Sequence, residues 1–85
     1  MASFAVEFLL PAEDDLARIW LAAPDPDEVT RADATAEQLL SSDPAGRGVH
    51  LAEGLYRLTV APLVLYYAID DDRKLVRVAS IGEVR

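Results

Sequence analysis

The sequence contains no cysteine and a single histidine, His50. Disulfides, thiolate metal sites and any site built on a histidine pair are therefore excluded. Basic side chains are scarce: eight Lys and Arg stand against fifteen Asp and Glu, a formal net charge of −7. That balance disfavours general binding to nucleic acid, whose phosphates require clustered cations. Long hydrophobic runs are lacking too, since the longest, Ala61–Ile69, falls far short of the roughly 20 residues of a bilayer span. Met1-Ala2-Ser3 carries no basic residue and Glu7 interrupts the apolar run that follows, so no secretory signal is expected. No Gly-rich phosphate loop, nucleophile elbow or zinc spacing occurs. These absences imply a soluble, cytoplasmic protein with no membrane partner, no metal and no cofactor.

What is present points to a globular chain. Hydrophobic residues make up 52% of the 85 positions, far from the composition of disorder. One domain, spanning residues 1–85, is expected, burying about 60–65% of its unfolded surface. The charge is unevenly spread. Residues 1–45 hold ten acidic and two basic side chains, whereas residues 46–85 hold five and six. Any basic patch must therefore lie in the C-terminal half.

Phe4, Val6, Phe8 and Leu10 alternate with Ala5, Glu7 and Leu9, the pattern of a half-buried strand. Pro11 ends it and suits the first turn of a helix, where Glu13, Asp14 and Asp15 are favoured by the helix dipole. Ala12, Leu16, Ile19, Trp20 and Ala23 form one apolar face. Pro24-Asp25-Pro26 breaks this helix; Asp25 and Glu28 form a D-x-x-E capping pattern for the next, with Val29, Ala32, Ala36, Leu39 and Leu40 as its stripe. Ser41-Ser42-Asp43-Pro44 ends that helix and Gly46-Arg47-Gly48 opens a loop. The result is a helical hairpin with arms of about twelve and sixteen residues packed on a sheet.

Strands follow at Val49–Glu53, Leu55–Ala61, Leu63–Ile69 and Leu75–Ile81. Pro62 forces a turn or an edge. Leu63–Ile69 is apolar on both faces and reads as a central strand, and Asp70-Asp71-Asp72-Arg73 is a hairpin connection. The fold class is α+β: an N-terminal strand, a helical hairpin, then an antiparallel β-meander, with both helices on one face of the sheet and the first strand paired within it.

This layout resembles the RelE/ParE superfamily of toxin–antitoxin proteins over nearly the whole chain. The resemblance rests on the helical stretch Ala12–Leu40 ending in Ser42, Pro44 and Gly48, then on Gly54-Leu55-Tyr56-Arg57-Leu58. Leu65-Tyr66-Tyr67-Ala68-Ile69-Asp70 and Val76–Ile81 complete it. It implies the toxin-like component of a type II module, neutralised by a partner antitoxin. RelE-like members are metal-independent endoribonucleases that cut mRNA on the ribosome, using several cations to stabilise developing charge; ParE-like members poison DNA gyrase. Carried over, Arg57 matches a basic position, whereas Thr59 and Val64 stand where RelE-like enzymes tend to place further bases. Gly82-Glu83-Val84-Arg85 adds one cation and an acid. The alternative is a degenerate, non-catalytic member of the same fold, acting as a protein-interaction module or small homodimer.

For RNA cleavage the resemblance makes Arg57 the phosphate-binding residue, with Arg85 assisting. His50 is the candidate acid/base, because the turn at Gly54 permits it to approach Arg57. Each has a structural counterpart: an outward strand residue, a terminal residue and a solvated histidine. Asp70, Asp71 and Asp72 point in different directions and read as turn formers rather than a metal site. Tyr56, Tyr66, Tyr67 and Trp20 could stack bases, but without a basic groove they read as core.

Overall fold

The computed structural model describes residues 3–84. The elements run β1 (Ala5–Phe8), α1 (Leu10–Ala22), α2 (Pro26–Ser42), α3 (Pro44–Arg47), β2 (Val49–Ala52), β3 (Leu55–Val60), β4 (Leu63–Asp70) and β5 (Leu75–Glu83). They build the expected α+β fold, with a five-stranded sheet in the order β1-β5-β4-β3-β2. β1 lies parallel to β5, and every other pair is antiparallel. Among the described residues no helix is long and apolar enough to cross a membrane.

Strand alternation divides the sheet into two unlike faces. Leu58, Leu63, Leu65, Tyr67, Val76, Val78 and Ile81 are buried beneath the helices, against Ala12, Ile19, Val29, Ala32, Ala36 and Leu40. The small residues at Ala12, Ala32 and Ala36 let the helices lie close to the sheet. Of the Tyr66–Tyr67 pair it is Tyr67 that faces the helices, as one of the two had to.

Tyr67 is fully buried, and its hydroxyl donates to the Pro44 carbonyl at 2.6 Å. Its ring stacks on Tyr56, the centroids 5.6 Å apart. Gly48 lies against this hydroxyl: a Cβ there would collide with it and stand 3.1 Å from the Arg57 carbonyl. Gly54, with φ +75°, makes the β2–β3 turn that L-residues adopt only with strain.

A second tie joins α1 to the sheet. β1 accompanies β5 only as far as Val78, where the chain turns into α1. Beyond that point Asp15 of α1 serves the unpaired β5 edge, accepting the Ile81 N–H at 3.0 Å while receiving Arg18 at 2.8 Å. The Ile81 bond first, and Arg18 second, hold the Asp15 carboxyl below its ordinary value of 3.8.

Several local expectations are corrected. Leu10 does not continue the strand; it opens α1 and is 70% exposed. Pro11, in the first helical turn, favours helix over extension there. Asp25 makes no side-chain cap hydrogen bond. Held between two prolines at φ −130°, ψ 87°, it reaches Arg31 instead, at 3.9 Å. Gly46-Arg47-Gly48 does not open a loop: Pro44–Arg47 form the short helix α3, where the Asp43 carboxylate accepts the Gly46 N–H at 3.0 Å.

Two stability tests follow from these ties. Asp15→Ala should cost about 1–2 kcal/mol in urea unfolding at neutral pH, the range of a charge-assisted bond discounted for partial exposure. Because the folded carboxyl is depressed, its contribution is complete above 3.8 and is lost as pH falls through the lowered value, so wild type and variant should converge in acid. Tyr67→Phe should cost about 1–2 kcal/mol by orphaning the Pro44 carbonyl. Gly48→Ala should cost more, and the double variant less than the sum, because the hydroxyl in the way of the new Cβ is then gone.

Candidate functional site

The sheet face turned away from the helices carries a row of side chains set by register. Val49 pairs with Arg57, Arg57 with Tyr66, and Tyr66 with Ser80, so the row crosses β2, β3, β4 and β5. Thr59, Val64 and Gly82 form the next row. Arg57 is exposed and has no ion-pair partner among the described residues. Arg77 on the same face is bound to Glu7 at 3.3 Å.

His50 is not brought to Arg57. It pairs with Tyr56, its ring 5.0 Å from the tyrosine ring. Tyr56 and Arg57 are consecutive on β3 and so point to opposite faces. Arg85 lies outside the described residues. Asp71 and Asp72 form the β4–β5 turn, and the Asp70 carboxylate accepts the Arg73 N–H at 3.1 Å. Among the described residues no group of three His, Cys, Asp or Glu is placed to hold a metal ion.

A second site lies on the helical layer. Phe8, Leu16, Ala17, Trp20, Leu21 and Val29 line an open groove of about 640 Å³ between α1 and α2, with Thr30, Glu13, Asp33 and Glu37 among its polar lining. Trp20 is not the core residue its helical spacing suggests. It is 44% exposed, and its indole N–H donates to Thr30 Oγ1 at 3.2 Å, across the hairpin. The hairpin arms are spaced by that bond and by small residues, which leaves the indole at the groove rim. Leu21 beside it is 77% exposed.

Asp33 is the anomaly of this groove. Its Oδ1 is buried without a hydrogen-bond partner among the described residues. Burial first, then hydrogen bonding with and the charge of Glu37 one turn on, raises its carboxyl from 3.8 to about 7. Neither residue stands out by motif. The signal that marks them is two acids at i and i+4 on one helix, an arrangement that opposes the helix unless something answers it.

A family model described as the ParE toxin of the type II toxin–antitoxin system parDE matches residues 6–85. Among solved structures, the chain superimposes on the RelBE2 toxin–antitoxin complex of Mycobacterium tuberculosis with a TM-score of 0.82. The identity is 23%, over 99% of this chain and 94% of that one. The chromosomal ParDE system of P. aeruginosa gives a TM-score of 0.68 at 17% identity, over 98% of both chains. The archaeal RelE–RelB complex of Pyrococcus horikoshii gives 0.68 at 12% identity, over 95% of this chain and 94% of that one. At these identities the likeness is one of fold. No curated protein matches the sequence.

Asp33 makes a stability test of opposite sign to Asp15. A folded state that keeps a proton the unfolded chain releases loses stability as pH rises from about 4 to about 7. Asp33→Asn removes that loss. The variant should be more stable than wild type by about 1–2 kcal/mol in mildly alkaline buffer, after discount for partial exposure, with the gain vanishing in acid. Thermal melts across pH check it.

Proposed function

This chain belongs to the ParE toxin family of type II toxin–antitoxin systems, and we propose that it is a toxin restrained by a partner antitoxin and aimed at a protein target, DNA gyrase, rather than at RNA. The observation that carries this reading is the sparse cation set of the open sheet face. Metal-independent RNA cleavage needs several preorganised cations around the scissile phosphate and a group to move the proton. Among the described residues Arg57 is the one cation of its row, Arg77 is tied to Glu7, and His50 faces the other side. A net charge of −7 also repels a polyanion at long range.

The antitoxin reading is supported by the company this fold keeps, since similar structures include toxin–antitoxin complexes. It is also supported by the groove of α1 and α2, an apolar surface with Trp20 and Leu21 exposed on its rim.

The test is tightly controlled expression of this chain alone in a bacterial culture. Transcript ends and plasmid supercoiling are followed at the same time points. Growth arrest with intact transcripts and altered supercoiling is the expected result, and Arg57→Ala should still arrest growth. New transcript ends that vanish in Arg57→Ala would instead make Arg57 the phosphate-binding residue of a ribonuclease. A folded product without arrest would leave an interaction module that has lost its toxicity.

A further inference from the structure

We infer that the groove between α1 and α2 takes an amphipathic helix of the partner that brings one Lys or Arg side chain to the Asp33 carboxylate. This rests on the antitoxin reading above and adds to it the chemistry by which the groove selects its occupant.

The apolar part of the argument is geometric. Phe8, Leu16 and Val29 line the groove, Trp20 and Leu21 rim it, and its two walls are helices. A third helix laid along such walls sets its apolar stripe between them. An apolar stripe alone would leave Asp33 as it stands, with Oδ1 buried and unpartnered. Burying an unanswered acceptor deeper beneath a partner opposes binding, whereas a cation placed against it makes a strong charge-assisted bond.

Among the described residues none supplies that cation. The other charged groups lining the groove are Glu37, which acts on Asp33 from its own helix, and Glu13 from α1, both acids, and β1 contributes only Phe8. The basic residues of the two long helices are Arg18, paired with Asp15 at 2.8 Å, and Arg31, turned to Asp25 at 3.9 Å. On the long helices that could fill the groove, a second copy of the chain offers the same two arginines, each already beside an acid, and its other described cations lie outside those helices. A divalent ion lacks a third ligand among the described residues. The remaining source is a partner whose apolar face carries one basic residue.

The protonation of Asp33 gives this contact a signature. In the unbound chain the carboxyl holds its proton up to about 7. A cation delivered beside it expels the proton, so binding tightens as pH rises through neutrality.

The test uses the full-length toxin and the purified product of the reading frame adjacent to its own, with affinity measured by calorimetry from about pH 6 to pH 8. Wild type should tighten about tenfold over that range, releasing about one proton per complex at the acid end and almost none at the alkaline end. Asp33→Asn, which should fold at least as well, should bind about tenfold or more weakly at the alkaline end and show a flat pH profile. Asp33→Lys should abolish binding, and changing one basic residue of the partner helix to Glu should restore it. Tight, pH-independent binding by wild type, or equal binding by Asp33→Asn, would overturn the inference while leaving the antitoxin reading intact. No binding by wild type would overturn that reading and the inference with it. A wild-type homodimer that Asp33→Asn dissolves would assign the groove to a second copy instead.

Discussion

The hydrogen bond from the Tyr67 hydroxyl to the Pro44 carbonyl is the constraint on which the rest of the molecule hangs. It joins the middle of the central strand to the turn of chain that leaves the helical layer. Pro44 and the short helix it begins lead directly to Gly48, and Gly48 admits β2 only because no Cβ stands between it and the same hydroxyl. The register of β2 on β3 follows from that point, and with it the side of the sheet on which Arg57 appears and the side on which His50 appears. Burial raises the Tyr67 hydroxyl to about 12, so it remains a neutral donor throughout the physiological range and the tie does not vary with pH.

The two layers then meet different electrostatic conditions. At the free edge of β5, a backbone N–H left without a strand partner and a nearby arginine make negative charge on Asp15 favourable. On the groove side of the same hairpin, burial and a second acid make negative charge on Asp33 unfavourable. The same side-chain type is thus pushed in opposite directions by surroundings a few helical turns apart. One aspartate is a structural clasp, satisfied within the chain. The other is left unanswered among the described residues, which is what marks a candidate binding surface off from a packed one.

Much of this fold is legible in the sequence because its strands obey simple alternation. Tyr56, Leu58 and Val60 against Arg57 and Thr59 assign both faces of β3, and the doubly apolar run through β4 assigns its central place in the sheet. Local capping rules were weaker guides. Asp25 has the composition of an N-cap, but two flanking prolines fix a backbone that sends its carboxylate elsewhere. Trp20 has core spacing, yet hairpin geometry decides its exposure, and that depends on Thr30, ten residues away. The candidate site was legible only in part. Alternation along β3 puts Arg57 on one face, but only the cross-strand pairing places His50 on the other. The groove is a property of the space between two helices, and no stripe on either helix encodes it.

Asp33 shows why such a groove costs stability and is nonetheless informative. A helix gains nothing within the isolated chain from a desolvated carboxylate beside a second acid; polar side chains further out on the surface would serve its folding better. On the proposed reading the strain is relieved only when the partner arrives, so part of the binding free energy is the removal of a fault in the unbound protein. An apolar groove by itself would accept any amphipathic helix of suitable width. The unanswered acid converts that general affinity into a choice, because a helix without the cation must bury the fault more deeply while a helix with it is rewarded. On that reading, stability surrendered by the free chain becomes discrimination in the complex, and the groove that exercises it is separated from the Arg57 face by the thickness of the core.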